Sequence, residues 1–368
     1  MKKCLLRGFY GYRNLGDDLL YVESISKIPS CYHIYIYGNC PYPDDLNRDN
    51  VTLNRSYMDI LSRKYDLTIV NGGGYFPSVK YKWKNLIYDI LIRLRSRKMV
   101  LNGVGIAPKI GAWNRIRFKL FLKMLDYCSV RDDVSRDFIN GLMNNHHCMN
   151  CHDLYFGKTL IPYNDKRNGV IICIANPFSK TEMSTEHFQQ RYQLLIKNIQ
   201  SAALRLMDNY GEVSFLSFFS SSDDIIIKDI ISHPYLSDSR ILIKGKDFNI
   251  DNIDQLFTRY KVGLCMRFHS FVLATRNCLP FVGICYDYKS ESLLREMNLS
   301  EIGVKYGIRI SDFYGLEIDF SENDILHRVD YVFNNYASIQ NKLEYCRERF
   351  HQEVIKNYNK IYSLIGKT

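Results

Sequence analysis

The chain has no apolar run approaching the roughly 18 to 20 residues of a membrane span, which excludes a membrane-crossing helix. It shows no internal repeat and no low-complexity tract. Zinc-finger spacing, a recognisable RNA-binding motif and a long basic tail are all missing. The basic residues are interspersed with acidic ones, so nucleic acid is not expected as a partner. The 11 cysteines are odd in number and scattered, which fits reduced thiols in a cytoplasmic protein and not the disulfide framework of a secreted one. Met1-Lys2-Lys3 has the form of a signal n-region, but Arg7 ends the apolar stretch behind it after three residues.

What is present points to two domains, because 368 residues are too many for one ordinary core. The formal charge of +10 calls for an anionic partner, either a phosphorylated ligand or an anionic bilayer surface. Short apolar runs alternate with helical stretches through the N-terminal half: Lys3 to Phe9, 15 to 27, His33 to Tyr37, Leu67 to Val70, 80 to 97 and Met99 to Val104. That is the rhythm of a parallel sheet with crossover helices. Residues 160–169 are polar and turn-rich, like a linker. The rhythm then restarts at Val170 to Ala175 and runs through helices near 185–209, 223–232 and 251–259 to a strand at 262–265.

The expected architecture is therefore α/β: two Rossmann-like domains, residues 1–158 and 168–320, facing each other across a cleft. An amphipathic helical region, 321–368, is expected to pack against both. Its apolar residues from Ile325 to Ile365 recur in eleven steps over 40 residues, about 3.6 per step.

The chemistry-bearing residues stand at strand ends. In Met266-Arg267-Phe268-His269-Ser270 a fixed positive charge lies two residues from an imidazole, between the apolar run Lys261 to Cys265 and the helical Phe271 to Ala274. Arginine presents a planar fork of donors that fits carboxylate or phosphate, and histidine titrates nearest neutrality. Such a pair holds an anion and moves a proton in one place. The first strand ends in Gly8-Phe9-Tyr10-Gly11-Tyr12-Arg13-Asn14-Leu15-Gly16-Asp17-Asp18, a glycine-spaced loop opening a helix. Its two aspartates suit the helix dipole but repel phosphate, so this loop is expected to face sugar hydroxyls or to move a proton. Asn71-Gly72-Gly73-Gly74-Tyr75 puts three glycines at the end of a strand, where a close backbone approach is expected. Ser129-Val130-Arg131-Asp132 supplies a further arginine at a strand end.

Two other features are weighed on their side chains. His146-His147-Cys148-Met149-Asn150-Cys151-His152-Asp153 offers imidazoles and thiols but no second ligand pair at finger spacing, so no metal is expected. The apolar helix from Trp113 to Leu125 carries Arg115, Lys119 and Lys123 along one edge, with Phe121 close by. This suits peripheral contact with an anionic membrane, at the inner face of the plasma membrane.

Taken in order, Gly11 to Asp18, Gly72-Gly73-Gly74, Gly103-Val104-Gly105-Ile106-Ala107-Pro108, Ser129 to Asp132, Met266 to His269 and Pro280-Phe281-Val282-Gly283-Ile284-Cys285-Tyr286-Asp287-Tyr288-Lys289 resemble the polysaccharide pyruvyl transferase family. Asp17-Asp18, Tyr288 and Asp153-Leu154 stand where that family usually has Asp-Glu, proline and Asp-Pro. The resemblance implies a GT-B-like fold and transfer of a pyruvyl group from phosphoenolpyruvate to two hydroxyls of a sugar, as in exopolysaccharide or capsule synthesis. It also places Arg267 and His269 at the phosphoenolpyruvate site.

Phosphoenolpyruvate carries both a carboxylate and a phosphate, so Arg131, Lys289 and Ser270 join Arg267 as expected donor contacts. The second domain is the expected donor side and the first the acceptor side. His269 is the expected general acid. Acceptor contacts are expected from Asn14, Gly16, Asp17, Gly73, Gly74 and Tyr75, and Asp17 or Asp18 either takes the hydroxyl proton or holds the sugar. No cofactor is expected beyond phosphoenolpyruvate as co-substrate. The competing reading is a GT-B glycosyltransferase with a nucleotide-sugar donor.

Overall fold

The computed structural model describes residues 1–366 except 9, 13, 38–48, 55, 77–81, 107–110, 144–147, 164–166, 179–185 and 308–318, and only the backbone at 74–76. The chain divides into two compact units: Met1–Lys158 with Phe350–Thr368, and Thr159–Arg349.

The first unit is built on seven strands: β1 (Lys2–Arg7), β2 (Tyr32–Tyr37), β3 (Val51–Asn54), β4 (Tyr65–Phe76), β5 (Ser96–Ile106), β6 (Tyr127–Val130) and β7 (Met149–Asn150). They stand in the order β3-β2-β1-β4-β5-β6-β7, and every pair is parallel. Parallel neighbours need crossovers, which α1 (Leu15–Lys27), α2 (Tyr57–Leu61), α3 (Trp83–Arg95), α4 (Ala112–Leu122) and α5 (Asp133–Met143) provide. Cys4, Leu5 and Leu6 are fully buried, as befits a strand covered on both faces. One core cluster packs Leu6, Ile34 and Ile69 against Tyr21, Ile361 and Ile365; another packs Val70, Leu101 and Val130 against Phe118, Phe121 and Leu122.

The second unit repeats the plan. Strands β8 (Val170–Cys173), β9 (Val213–Leu216), β10 (Arg240–Leu242), β11 (Val262–Cys265), β12 (Phe281–Cys285) and β13 (Gly303–Lys305) form a parallel sheet in the order β10-β9-β8-β11-β12-β13. Helices α6 (Glu186–Tyr210), α7 (Ser220–Ile231), α8 (Ile253–Phe257), α9 (Phe268–Arg276) and α10 (Tyr288–Glu296) link them.

The tail forms two helices, Glu322–Asn334 and Tyr336–Ser363. The apolar stripe stays in phase across the break at Asn335, and Tyr336 is its one member that is only half-buried. Residues through Arg349 belong to the second unit and those from Phe350 onward to the first.

The strand that carries the triple glycine runs on past Val70: β4 continues to Phe76, with Gly73 paired to Val104 and a register shift between Gly73 and Phe76. Glycine permits this because Gly73 has φ +93°, a left-handed conformation inside a strand. Among the described residues, no helix is long and apolar enough to cross a membrane.

Candidate functional site

Each sheet has a topological switch point, where strand order reverses and the crossovers leave on opposite sides. Such points open a crevice at the carboxyl ends of the strands, the usual ligand position in open α/β sheets. They lie between β1 and β4 in the first unit, and between β8 and β11 in the second.

In the second unit, Arg267 falls at this point. It follows the buried β11 and Met266, caps the N-terminus of α9 in an extended conformation, and its amide, with that of Met266, donates to the Cys173 carbonyl at the end of β8. Its guanidinium does not reach out alone. Nε donates to Asp223 Oδ2 (2.9 Å), Nη2 donates to Asp223 Oδ1, and Nη1 donates to the Tyr286 hydroxyl (3.4 Å). Asp223, in the first turn of α7, is 0% exposed and also accepts from the amides of Asn176 (3.2 Å) and Phe219 (3.0 Å). Four strand ends, those of β8, β9, β11 and β12, therefore converge on one guanidinium. Burial works against the Arg267 charge, but Tyr286 and Asp223 outweigh it and hold the group above its ordinary pKa.

His269 and Ser270 occupy the same helix turn. His269 is partly exposed as a residue, although its ring Nε2 is buried, and the ring stands 5.5 Å from the Phe268 ring, edge-on. Ser270 is buried, and its hydroxyl donates to the Arg267 carbonyl (2.5 Å), tying the arginine to the turn. Lys289 comes from the start of α10, the helix after β12. Asp287 caps that helix by accepting from the Lys289 amide (3.1 Å), and the Lys289 ammonium lies 4.0 Å from the Asp287 carboxylate. Two helix N-termini, Arg267, His269 and Lys289 thus gather at neighbouring strand ends, an arrangement suited to an anion and a proton transfer.

In the first unit, Asn14 caps α1 by accepting from the Gly16 amide (3.0 Å), which places Asp17 and Asp18 in the buried first turn. A Cβ on Gly73 would lie 3.1 Å from Asp17 Oδ1, so the glycine end of β4 meets that carboxylate directly. The side chains at Gly74 and Tyr75 lie outside the described residues. Beneath the switch point runs a buried amide network. Asn71, on β4, donates to the Tyr10 hydroxyl (2.9 Å), Asn102, on β5, donates to Asn71 Oδ1 (2.8 Å), and Asn357 donates to Asn102 Oδ1 (2.7 Å).

Arg131 belongs to the first unit and is buried. Its guanidinium lies where a Cβ on Gly105 would be, 2.5 Å away, and faces Asp153 (3.6 Å) and Asp132 (4.0 Å). Gly72 and Gly103 are likewise filled by the Leu154 side chain. At these glycines the close approaches are made, among the described residues, by the protein's own side chains. In the histidine and cysteine run, His146 and His147 lie outside the described residues. Cys148 stands 3.2 Å from Cys128, sulfur to sulfur, and His152 Nε2 is 2.5 Å from Glu353. Among the described residues, no group of three His, Cys, Asp or Glu could hold a metal ion. Sequence reading missed Asp223 altogether, since nothing near it in the chain marks it as the partner of a residue 44 positions away.

The fold is that of a two-unit Rossmann-type protein. It is similar to UDP-GlcNAc 2-epimerase from Neisseria meningitidis bound to UDP-GlcNAc, with 10% identity, 99% of each chain covered and a TM-score of 0.56. A putative UDP-N-acetylglucosamine 2-epimerase from Listeria monocytogenes gives 8% identity, 93% of this chain and 91% of that one, and a TM-score of 0.55. The S. aureus MnaA–UDP structure gives 9%, the same coverage and 0.52. At such identities the likeness is one of fold. No curated protein sequence matches the chain. The family model of polysaccharide pyruvyl transferase matches residues 14–288, and the chain belongs to that family.

Proposed function

We propose that the protein transfers the pyruvyl group of phosphoenolpyruvate to two hydroxyls of a sugar in a polysaccharide or its lipid-linked precursor. The observation that supports this most is the Arg267 fork, fixed by Asp223 at the switch point, with His269 two residues further on the same helix turn. The second unit holds the donor through Arg267 and Lys289. His269 protonates the methylene carbon of phosphoenolpyruvate, which makes the adjacent carbon electrophilic. One sugar hydroxyl adds to that carbon, the carbon–oxygen bond to phosphate breaks, and the second hydroxyl closes the cyclic ketal. Inorganic phosphate leaves, and the two hydroxyl protons balance the one given to carbon and the one taken by phosphate or solvent. Asp17 and Asp18, in the first unit, are the candidates for holding the sugar or taking a hydroxyl proton.

The competing reading is glycosyl transfer from a nucleotide sugar, since structures of similar fold hold UDP or UDP-GlcNAc. A small doubly anionic donor suits the paired cations better. The test is thermal stabilisation of the protein by phosphoenolpyruvate or, separately, by UDP-sugars. Phosphate release and a mass gain of one pyruvyl ketal on extracted lipid-linked saccharides then identify the reaction. Stabilisation by a UDP-sugar alone overturns the proposal.

A further inference from the structure

Residues 82–125 hold eleven Lys or Arg and a single acidic residue, Asp89. Eleven against one is +10, the whole formal charge of the chain, so the remaining residues are neutral in sum. The interspersed charge read from the sequence as a whole thus fails in one place. Asp89 offers nothing to the surface, because it is buried against Arg7 (2.6 Å).

The same stretch exposes an apolar stripe. Along α3, Trp83, Ile87, Ile90, Leu91 and Leu94 recur at helical spacing and are 38–75% exposed, while Leu86 and Ile92 on the opposite side are buried. Along α4, Trp113, Ile116 and Leu120 do the same at 42–68% exposure, while Phe118 and Phe121 face the core. The two helices are neighbours: the Arg117 guanidinium of α4 lies 5.4 Å from the Trp83 ring of α3, and Arg93 Nε donates to the Met124 carbonyl (2.8 Å). The sequence reading placed the basic edge on α4 alone. Arg115 and Lys123 are indeed exposed, but Lys119 is half-buried, and the larger apolar contribution comes from α3.

We infer that the α3–α4 face docks on an anionic lipid bilayer, with both tryptophans at the lipid–water boundary. Large exposed apolar patches mark interaction sites. A stripe of Trp, Leu and Ile flanked by Lys and Arg, with no exposed acidic residue in the segment, has the chemistry of an interfacial amphipathic surface. A second copy of the chain would bring the same positive charge to this face, which opposes self-association there.

The chain's only two tryptophans are Trp83 and Trp113, so tryptophan emission reports on this face alone. The full-length protein is mixed with phosphatidylcholine vesicles made with or without phosphatidylglycerol, in the absence of substrate, and its emission and flotation are recorded. Expected are a blue shift and flotation with the anionic vesicles only, both weakened by salt. Arg115→Gln with Lys123→Gln, and separately Ile87→Ser with Leu94→Ser, should each lower partitioning about tenfold while far-ultraviolet circular dichroism and melting stay unchanged. Unshifted emission and no flotation of the wild type overturn the proposal. So does flotation equal in all variants, or concentration-dependent dimerisation that the Ile87 and Leu94 changes abolish without vesicle binding. Because no substrate is present, the outcome is independent of the transfer chemistry.

Discussion

Arg267 and Asp223 form a two-point ion pair across 44 residues of sequence, with the carboxylate wholly inside the protein and the guanidinium partly exposed. A planar fork held this way loses little rotational freedom when an anion arrives, because its orientation is already fixed. In the proposed function the pair would serve recognition more than stability. Asp223→Asn removes the counter-charge and turns one donor against another, so the dissociation constant for phosphoenolpyruvate should rise about tenfold or more. Arg267→Lys, which keeps charge and loses the fork, should weaken the donor similarly. If Asp223 acts through Arg267, the double variant should cost little beyond either single one. Full additivity in titration calorimetry would show that the two residues act separately.

His269 has a different expected signature. His269→Ala should leave phosphoenolpyruvate binding and the melting temperature near their original values and lower kcat by about 100-fold, as for loss of a general acid. Steady-state kinetics decide this, and turnover like that of the wild type would remove His269 from the mechanism.

Gly73 links backbone strain to the proposed acceptor side. Its φ is +93°, and a Cβ added there would stand 3.1 Å from Asp17 Oδ1, so Gly73→Ala strains the strand and displaces the carboxylate together. A left-handed conformation costs an ordinary residue about 1–2 kcal/mol, so the denaturation midpoint should fall by that equivalent. The KM for acceptor should rise while that for phosphoenolpyruvate holds. A variant as stable as the wild type would show that β4 relaxes freely at this point.

Much of this architecture was legible because it is written in periodicity. The strand at Val262–Cys265, helix α1 and the tail stripe from Ile325 to Ile365 follow from local patterns alone. β7 and β13 have only two and three residues, too few to show a period, and could not be read that way. Arg267 and His269 were legible as a pair because they lie two residues apart in sequence. Asp223 was not, since the partnership depends on β9 and β11 flanking β8 in the sheet, which no local pattern encodes. At the triple glycine the sequence shows that something comes close to the backbone, and the fold decides that Leu154 and Asp17 do so.

Thiol chemistry gives the last test, and it probes the cores of both units. All ten described cysteines are free, and Cys31 alone is exposed. Burial pushes the Cys151, Cys265 and Cys278 thiols from an ordinary 9.0 up to about 12. The thiolate is the nucleophile, so at pH 8 such a rise lowers the reactive fraction about a thousandfold before access is counted. The Cys40→Ser variant, which leaves 10 cysteines, should therefore take up one equivalent of maleimide quickly in its native state, at Cys31, and all 10 once denatured. Raising the pH should speed the slow native phase, because deprotonation then becomes less rare. Rapid native labelling of Cys265, at the end of β11 beside Arg267, would mean that the strand carrying the proposed donor site opens far more readily than its burial implies.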